Sequence, residues 1–402
     1  MPRTLLLLGG SRQQIVAIKT AKRCGYHTIL CDYLPDNPGQ EFADKFYLES
    51  TTDKEAILNI AISNNIDGIV AYASDPAAPT AAFVAEKLGL PGVPYETAQS
   101  FCEKDRFRRF LEIHGFNVPK SEELSLSDLP TSLPATLSYP VLVKPTDSSG
   151  SKGVSVVEDD NAFLNALEKA RAISRNGRLI VEEFITRDHP HVIEAEVFVA
   201  AGQVVSWGII NSIRDNASNP LLPAAYSYPV SLGSKRLDLV KLEITRLMNA
   251  SKISAGAFNI EMIIDRNERL YFLDAGPRNG GNMLPDFIGL ISNCDLIEAT
   301  VKAAMGDLTS ETDLSLAPEN GTFWGLSVLH SNQPGSFSHV SYSSLAQSRL
   351  INESLGIHEG SPVRPFNRCD DLVGLSFFHF ESEDEMKEVM ENSSYHTRVC
   401  LK

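Results

Sequence analysis

The sequence predicts a three-part α/β and α+β protein: a doubly wound parallel sheet over residues 1–96, a β-rich α+β region over 97–310 and a small α+β module over 311–402. Three observations carry this. The first ninety-odd residues alternate short apolar runs with amphipathic stretches, the pattern of strand–helix–strand units with right-handed crossovers. From 139 to 272 apolar runs recur, separated by turns. At 402 residues the chain is too long for one hydrophobic core, and its 43% hydrophobic content supplies enough apolar material for several.

Runs at 4–8, 27–31 and 68–71 read as buried parallel strands, and 14–23, 54–64 and 77–88 carry helical spacing. Ligands of such sheets sit beyond the carboxyl ends of the strands, here the turn Gly9-Gly10-Ser11-Arg12, Asp32 and Ser74-Asp75. Gly9-Gly10 lacks the GxGxxG spacing and reads as a tight turn, so a dinucleotide cofactor is not expected. The segment 88–95, with Gly89, Pro91, Gly92 and Pro94, marks a boundary near 96. A helix over 97–115 follows, then the polar, proline-bearing stretch 121–134. A helix over 295–305 closes the middle region, and the polar stretch 310–320, with Pro318, marks the last boundary.

Composition narrows the function. Lys plus Arg number 36 against 51 Asp plus Glu, a net charge of −15, so the mean field repels nucleic acid and anionic membrane. No secretory or membrane-spanning stretch is present, and six scattered cysteines without a CxxC pair fit reduced thiols in the cytoplasm. Any phosphate bound must be held by a local basic pocket.

Three stretches could build one. At 139–145 (YPVLVKP) a strand delivers Lys144 inward, just before the Gly/Ser-rich turn 146–154 (TDSSGSKGV). A fixed cation followed by a flap of N–H and hydroxyl donors suits nucleotide phosphates; a polar hairpin with a snorkelling lysine is the alternative. At 180–185 (IVEEFI) and 192–199 (VIEAEVFV) acids interrupt apolar strands. Backbone at Glu183 and Ile185 could meet an adenine edge, and Glu182 or Glu194 a ribose; solvated strand faces are the alternative. The third stretch is 256–264 (GAFNIEMII), a turn, then 270–278 (LYFLDAGPR). A hairpin there can set Glu261 and Asp274 on one face, where two carboxylates repel unless a cation lies between them, and hard oxygen ligands suit Mg²⁺. Arg278 follows with a two-pronged donor set for phosphoryl oxygens.

In this order the pieces resemble the ATP-grasp superfamily over about residues 1–310. The resemblance implies a pre-ATP-grasp domain, an ATP-grasp domain of two α+β subdomains and a C-terminal α+β domain. It implies that Lys104, at the head of KDRFRRFLEIHG, and Lys144 bind the ATP phosphates, and that Ser148, Ser149, Gly150, Ser151 and Gly153 form the flap above them. Glu182, Glu183, Phe184 and Ile185 become the adenine hinge, Glu194 the acid near the ribose, Glu261 and Asp274 the Mg²⁺ ligands with Mn²⁺ as a substitute, and Arg278 a catalytic arginine beside Lys144. Many members carry a third metal ligand, Asn, two residues after the second acid; this chain has Gly276 there, and Asn279 or Asn282 could compensate or simply form turns.

The implied reaction joins a small-molecule carboxylate to an amine, such as an amino acid, through an acyl phosphate, with ATP going to ADP and phosphate. Arg214, in the long irregular segment 211–229, Asn279, Asn282 and the turn at 9–12 are candidates for the substrates. A homodimer is the expected assembly. Two other readings are carried forward: a bicarbonate-using enzyme of the purine-pathway or biotin-carboxylase kind, and an ATP-binding module without turnover. A nicotinamide-dependent oxidoreductase rests on the N-terminal sheet alone.

Overall fold

The structure, a computed structural model, describes residues 2–215, 219–308 and 321–402. Strands β1 (Thr4–Leu8), β2 (His27–Asp32), β3 (Lys45–Leu48) and β4 (Gly68–Val70) form a parallel sheet in the order β3-β2-β1-β4. The leucine run of β1 is continuous because both of its faces are covered. Leu5 and Leu7 pack on helix α1 (Ile15–Arg23), while Leu6 and Leu8 pack towards α2 (Lys54–Asn64) and α3 (Ala78–Leu88). β3 is a half-exposed edge strand that the apolar pattern does not announce.

The helix expected over 97–115 is two: α4 (Tyr95–Cys102) and α5 (Lys104–Ile113). Glu103 between them is extended, with φ −115° and ψ 117°, and the Lys104 N–H donates to the Thr146 carbonyl at 2.8 Å instead of continuing the helix. This break sets Lys104 at the start of a helix beside the sheet that carries Lys144. That sheet is antiparallel, of β5 (Ser121–Ser125), β6 (Val141–Pro145), β7 (Ser155–Val157) and β8 (Arg178–Glu183) in the order β5-β8-β6-β7, and helix α6 (Asp160–Arg171) covers it.

β9 (Val192–Ala200), β10 (Gln203–Asp215), β11 (Asn219–Tyr228), β12 (Gly256–Ile264) and β13 (Leu270–Gly276) belong to an eight-stranded sheet, with α7 (Ser234–Ser251) buried on one face. The segment 211–229 is therefore not the irregular loop expected: outside residues 216–218, which are not among the described residues, it is the β10–β11 ladder. Pro220 and Pro223 break the strand pattern in sequence, and the ladder takes them up through register shifts at Arg214, where Arg214 faces Pro223.

After α8 (Leu284–Ser292), α9 (Leu296–Met305) returns to the N-terminal sheet, burying Ile297, Val301 and Met305 against Leu5 and Leu7. The boundary expected near 310 falls in residues 309–320, outside the described residues. Beyond it come β14 (Phe323–Leu329), β15 (Gly335–Tyr342), β16 (Leu350–Leu355), β17 (Pro362–Val363), β18 (Gly374–Phe380) and β19 (Thr397–Leu401). β14, β18 and β16 extend the eight-stranded sheet, ordered β13-β12-β9-β10-β11-β14-β18-β16, so the chain after 320 continues the sheet that bears Glu261. β17, β15 and β19 form a separate small sheet.

Candidate active site

Side chains alternate along a strand, so one face of β9 can be apolar while the other carries charge. Ile193, Ala195, Val197 and Val199 enter the core with Phe258, Ile260 and Met262 of β12. Glu194 and Glu196 take the opposite face, and the register sets Glu261 opposite both Glu194 and Asp274, a row of three carboxylates across β9, β12 and β13. Strict alternation would send Asp274 into the core behind Leu270 and Phe272. It does not, because the pairing steps from Met262↔Phe272 to Glu261↔Asp274 and leaves Leu273 as an extra bulged residue.

Arg108, a residue with no role in the sequence pattern, braces this bulge. Its guanidinium donates to the carbonyls of Phe272 at 3.2 Å and Leu273 at 2.9 Å, and to Glu182 Oε1 at 2.6 Å. Lys144 Nζ donates to the other oxygen of Glu182. Glu182 is thus a buried counter-ion for two cations, a correction to its expected place in an adenine or ribose site. Burial opposes its ionisation, but Arg108 and then Lys144 outweigh that and hold its carboxyl down at about 2. Burial also lowers the Lys144 ammonium, against the pull of Glu182. The spacing of Arg108 four residues after Lys104 on one helix was the signal available.

Each acid of the hairpin has a basic partner, where the sequence suggests an unpaired couple. Asp274 accepts from Lys104 Nζ at 3.1 Å, and Glu261 from Arg214 Nη2 at 3.0 Å. Burial works against both charges of the first pair, yet Asp274 ends lowered and Lys104 raised because each faces the other. Arg214 is a buried strand residue. Among the described residues no group of three or more His, Cys, Asp and Glu is placed to hold a metal ion.

Arg278 reaches Asp75 at the end of the N-terminal sheet in a two-pronged pair, Nε to Oδ1 at 2.7 Å and Nη2 to Oδ2 at 2.6 Å. That pair explains Gly276: a Cβ there would lie 2.5 Å from Asp75 Oδ1 and 2.8 Å from the Arg278 guanidinium carbon. A larger residue at 276 would have to displace the Asp75–Arg278 pair. Asn279 Nδ2 donates to Glu196 at 3.2 Å, leaving its Oδ1 buried without a hydrogen-bond partner, and Asn282 Nδ2 donates to the Tyr226 hydroxyl at 3.0 Å.

Glu194 and Glu196 are both buried. Burial, and then the charge of Glu261, pushes Glu194 up to about 7. Its register beside Glu261 and its burial put it in the acidic row and not at an open ribose site. Glu196, which follows Glu194 at strand period but carries no role in the sequence pattern, is pushed by burial to about 8 despite the Gly280 N–H at 2.8 Å. An acid whose folded pKa lies above its unfolded value stabilises the fold below the unfolded value and loses that contribution as pH rises. Thermal midpoints of the wild type are therefore expected to fall between about pH 4.5 and 8, and Glu196→Gln to flatten part of that slope. Parallel pH profiles for the two proteins would contradict the assignment.

The charged groups surround two adjoining cavities. One, of about 380 Å³, is lined by Glu103, Lys104, Asp147, Ser148 and Asp274. The other, of about 1190 Å³, is lined by Arg12, Ser151, Glu261, Asp274, Arg278 and Asn282. Asp75, Ser149 and Asp274 border both, so Lys104, Arg278 and the hairpin acids share one contiguous space. Lys144 is not among the lining residues and is turned to Glu182. The Ser148 hydroxyl is buried without a hydrogen-bond partner, a donor left over on the flap. In the hinge, the Glu183 N–H bonds to the Lys120 carbonyl and the Phe184 N–H to the Pro140 carbonyl; Ile185 lies one residue beyond.

A doubly wound sheet set before two α+β sheets that border a cavity of lysine, arginine and paired acids defines the ATP-grasp architecture. Residues 103–308 match the family described as carbamoyl-phosphate synthase L chain, ATP binding domain, and the chain belongs to that family. It is 24% identical over 260 residues to the carbamoyl phosphate synthase large chain of Thermotoga petrophila, a match covering 63% of this chain and 23% of that one. The chain thus spans about a quarter of the length of such relatives. It is 28% identical over 316 residues to a formate-dependent phosphoribosylglycinamide formyltransferase of Synechococcus, covering 76% of this chain and 77% of the relative. Among solved structures, the L-amino acid ligase from Bacillus licheniformis superposes with a TM-score of 0.80 at 20% identity, covering 100% of this chain and 99% of that one, which shows the shared fold.

Proposed function

We propose that the protein is an ATP-dependent carboxylate–amine ligase acting on small molecules such as amino acids, which activates the acid as an acyl phosphate and releases ADP and phosphate. The observation that supports this most is the single space shared by Lys104, Arg278, Glu261 and Asp274. A carboxylate and a triphosphate repel each other, so their approach needs cations at the transferring group, and charge neutralisation with positioning supplies most of the catalysis. Lys104 lies at the cavity wall to take a phosphate oxygen. Arg278, held at a fixed angle by Asp75, faces the acyl phosphate. Ser148, Ser149, Gly150, Ser151 and Gly153 cover the phosphates and exclude water. Glu183, Phe184 and Ile185 border adenine in this reading, while Lys144 acts from behind Glu182.

Glu261 and Asp274 would hold a divalent ion, two hard oxygen donors opposite each other. Mg²⁺, or Mn²⁺ in its place, supplies charge compensation at the phosphates when bound. Lys104 and Arg214 pair with these two acids.

Arg214, Asn282 and the turn at 9–12 face the substrates; Asn279, locked to Glu196, supports the turn instead. A homodimer in the cytoplasm is the assembly proposed; all six cysteines are free, and no helix among the described residues is long and apolar enough to cross a membrane. A screen of amino acids, amines and bicarbonate for Mg²⁺-dependent ADP formation tests the reading, with bicarbonate dependence favouring the carboxylating alternative. Binding of ATP without turnover in any mixture would leave only a binding module. Asp75→Ala, which frees the Arg278 guanidinium, is expected to lower kcat about a hundredfold while the KM for ATP stays within about twofold. An unchanged kcat would remove Arg278 from the reacting centre.

A further inference from the structure

We propose that the loop at 366–373 in the C-terminal module is a positioning element that holds the flap at 148–153 down over the cavity; this rests on reading that flap as the nucleotide cover. The loop is fixed at both ends to the region of β14: the Phe366 N–H donates to the Ser331 carbonyl at 2.9 Å, and the Val373 N–H to the Leu329 carbonyl at 2.8 Å. Its tip is tightened internally by Asp371, which accepts from the backbone N–H groups of Asn367 at 3.3 Å and Arg368 at 3.0 Å. β14 is part of the sheet that carries Glu261 and Asp274, so the tip has a fixed relation to the reacting groups.

The flap, by contrast, hangs between β6 and β7 of the other sheet and has few ties of its own. Its internal backbone bonds run from the Lys152 N–H to the Ser149 carbonyl at 3.5 Å and from the Val154 N–H to the Ser151 carbonyl at 3.2 Å. Gly153 packs on Pro145 and Ile173 of its own subdomain, and the contacts of residues 150–152 reach the larger sheet and the loop. Ser151 Oγ donates to the Leu221 carbonyl of β11 at 3.0 Å, and Lys152 Nζ lies 4.0 Å from Asp370 Oδ1. At Gly150, with φ +62°, a Cβ would stand 2.3 Å from Cys369 Sγ, so the bare glycine and the thiol are packed in direct contact. Cys369 serves here as a compact apolar stop, partly buried in the core that includes Leu222 and Tyr226. The C-terminal module thereby becomes the fixed jaw against which the flap closes, and nucleotide exchange requires this contact to break.

Gly150→Cys places a second thiol against Cys369 and tests the contact directly. Under mild oxidation a single crosslink between the introduced thiol and Cys369 is expected by mass spectrometry, absent from the wild type and from Gly150→Cys combined with Cys369→Ala. Dissociation of a fluorescent ADP analogue loaded before oxidation is expected to slow at least about tenfold and to recover with reductant. Folded protein that forms no crosslink would overturn the contact. A crosslink that leaves the dissociation rate unchanged would overturn the positioning role. Failure of the wild-type protein to bind nucleotide at all would end the ligase reading and this inference with it, an outcome the crosslink in Gly150→Cys does not depend on. Should Gly150→Cys not fold, charge reversal takes its place: Lys152→Glu and Asp370→Lys are each expected to raise the KM for ATP about two- to fivefold with kcat little changed, and the double reversal to restore it. Single reversals without effect would count against the loop.

Discussion

Glu182→Gln is expected to lower the free energy of unfolding by about 3–5 kcal/mol, the largest stability loss of any single substitution in the site. Glutamine keeps the shape but removes the charge that two buried cations share, Arg108 at 2.6 Å and Lys144 on the other oxygen. Removing Lys144 instead leaves Glu182 still held by Arg108, so Lys144→Met is expected to cost distinctly less. The effect of Glu182→Gln reaches further than the pair, because the same guanidinium holds the Phe272 and Leu273 carbonyls at the bulge that presents Asp274. Urea midpoints for the two variants at pH 7 decide the matter; equal losses would mean that Arg108 finds other compensation. Glu182 is held at about 2, below its unfolded value, so its stabilisation is present at neutral pH and is lost as pH falls towards 2. The gap between wild type and Glu182→Gln is expected to close in acid.

Asp274→Asn is expected to lower ATP turnover by about 10²- to 10³-fold, the scale of losing one preorganised charge at a transferring group. Two effects combine. The amide is a poorer donor to a divalent ion, and Lys104 loses the carboxylate at 3.1 Å that fixes its direction. Asp274 lies at the cavity shared by both groups of cations, so the melting temperature is expected to move by only a few degrees. Turnover at the wild-type rate from folded Asp274→Asn protein would dispose of the metal role. Raised Mg²⁺ should recover part of the loss if the defect is one of affinity.

Much of this site is legible as residue types in order. Lys144, the Ser/Gly flap, the Glu261 and Asp274 strands and Arg278 are each announced by a charged or flexible residue inside an apolar pattern, where physical chemistry tolerates it only with a partner, whereas Lys104 enters only through the resemblance to the ATP-grasp superfamily. What the pattern cannot say is which partner. Lys144 and Glu182 look in sequence like two groups on the nucleotide side, and in the fold they neutralise each other. Arg214 looks like a loop cation because two prolines obscure β11, whereas the register shifts of the ladder bury it against Glu261.

The sequence by itself determined the parallel N-terminal sheet, the β-rich middle and the set of charged groups, since strand and helix periods and isolated charges are local properties of the chain. Only the tertiary structure decided their geometry. Which face Asp274 occupies depends on one bulged residue, Leu273, braced by an arginine from a helix far earlier in the chain. Gly276 lies against Asp75, a residue that follows the N-terminal sheet, and the place of the C-terminal module follows from β14 pairing with β11 across a gap in sequence. Such contacts join segments far apart in the chain, and no local period encodes them.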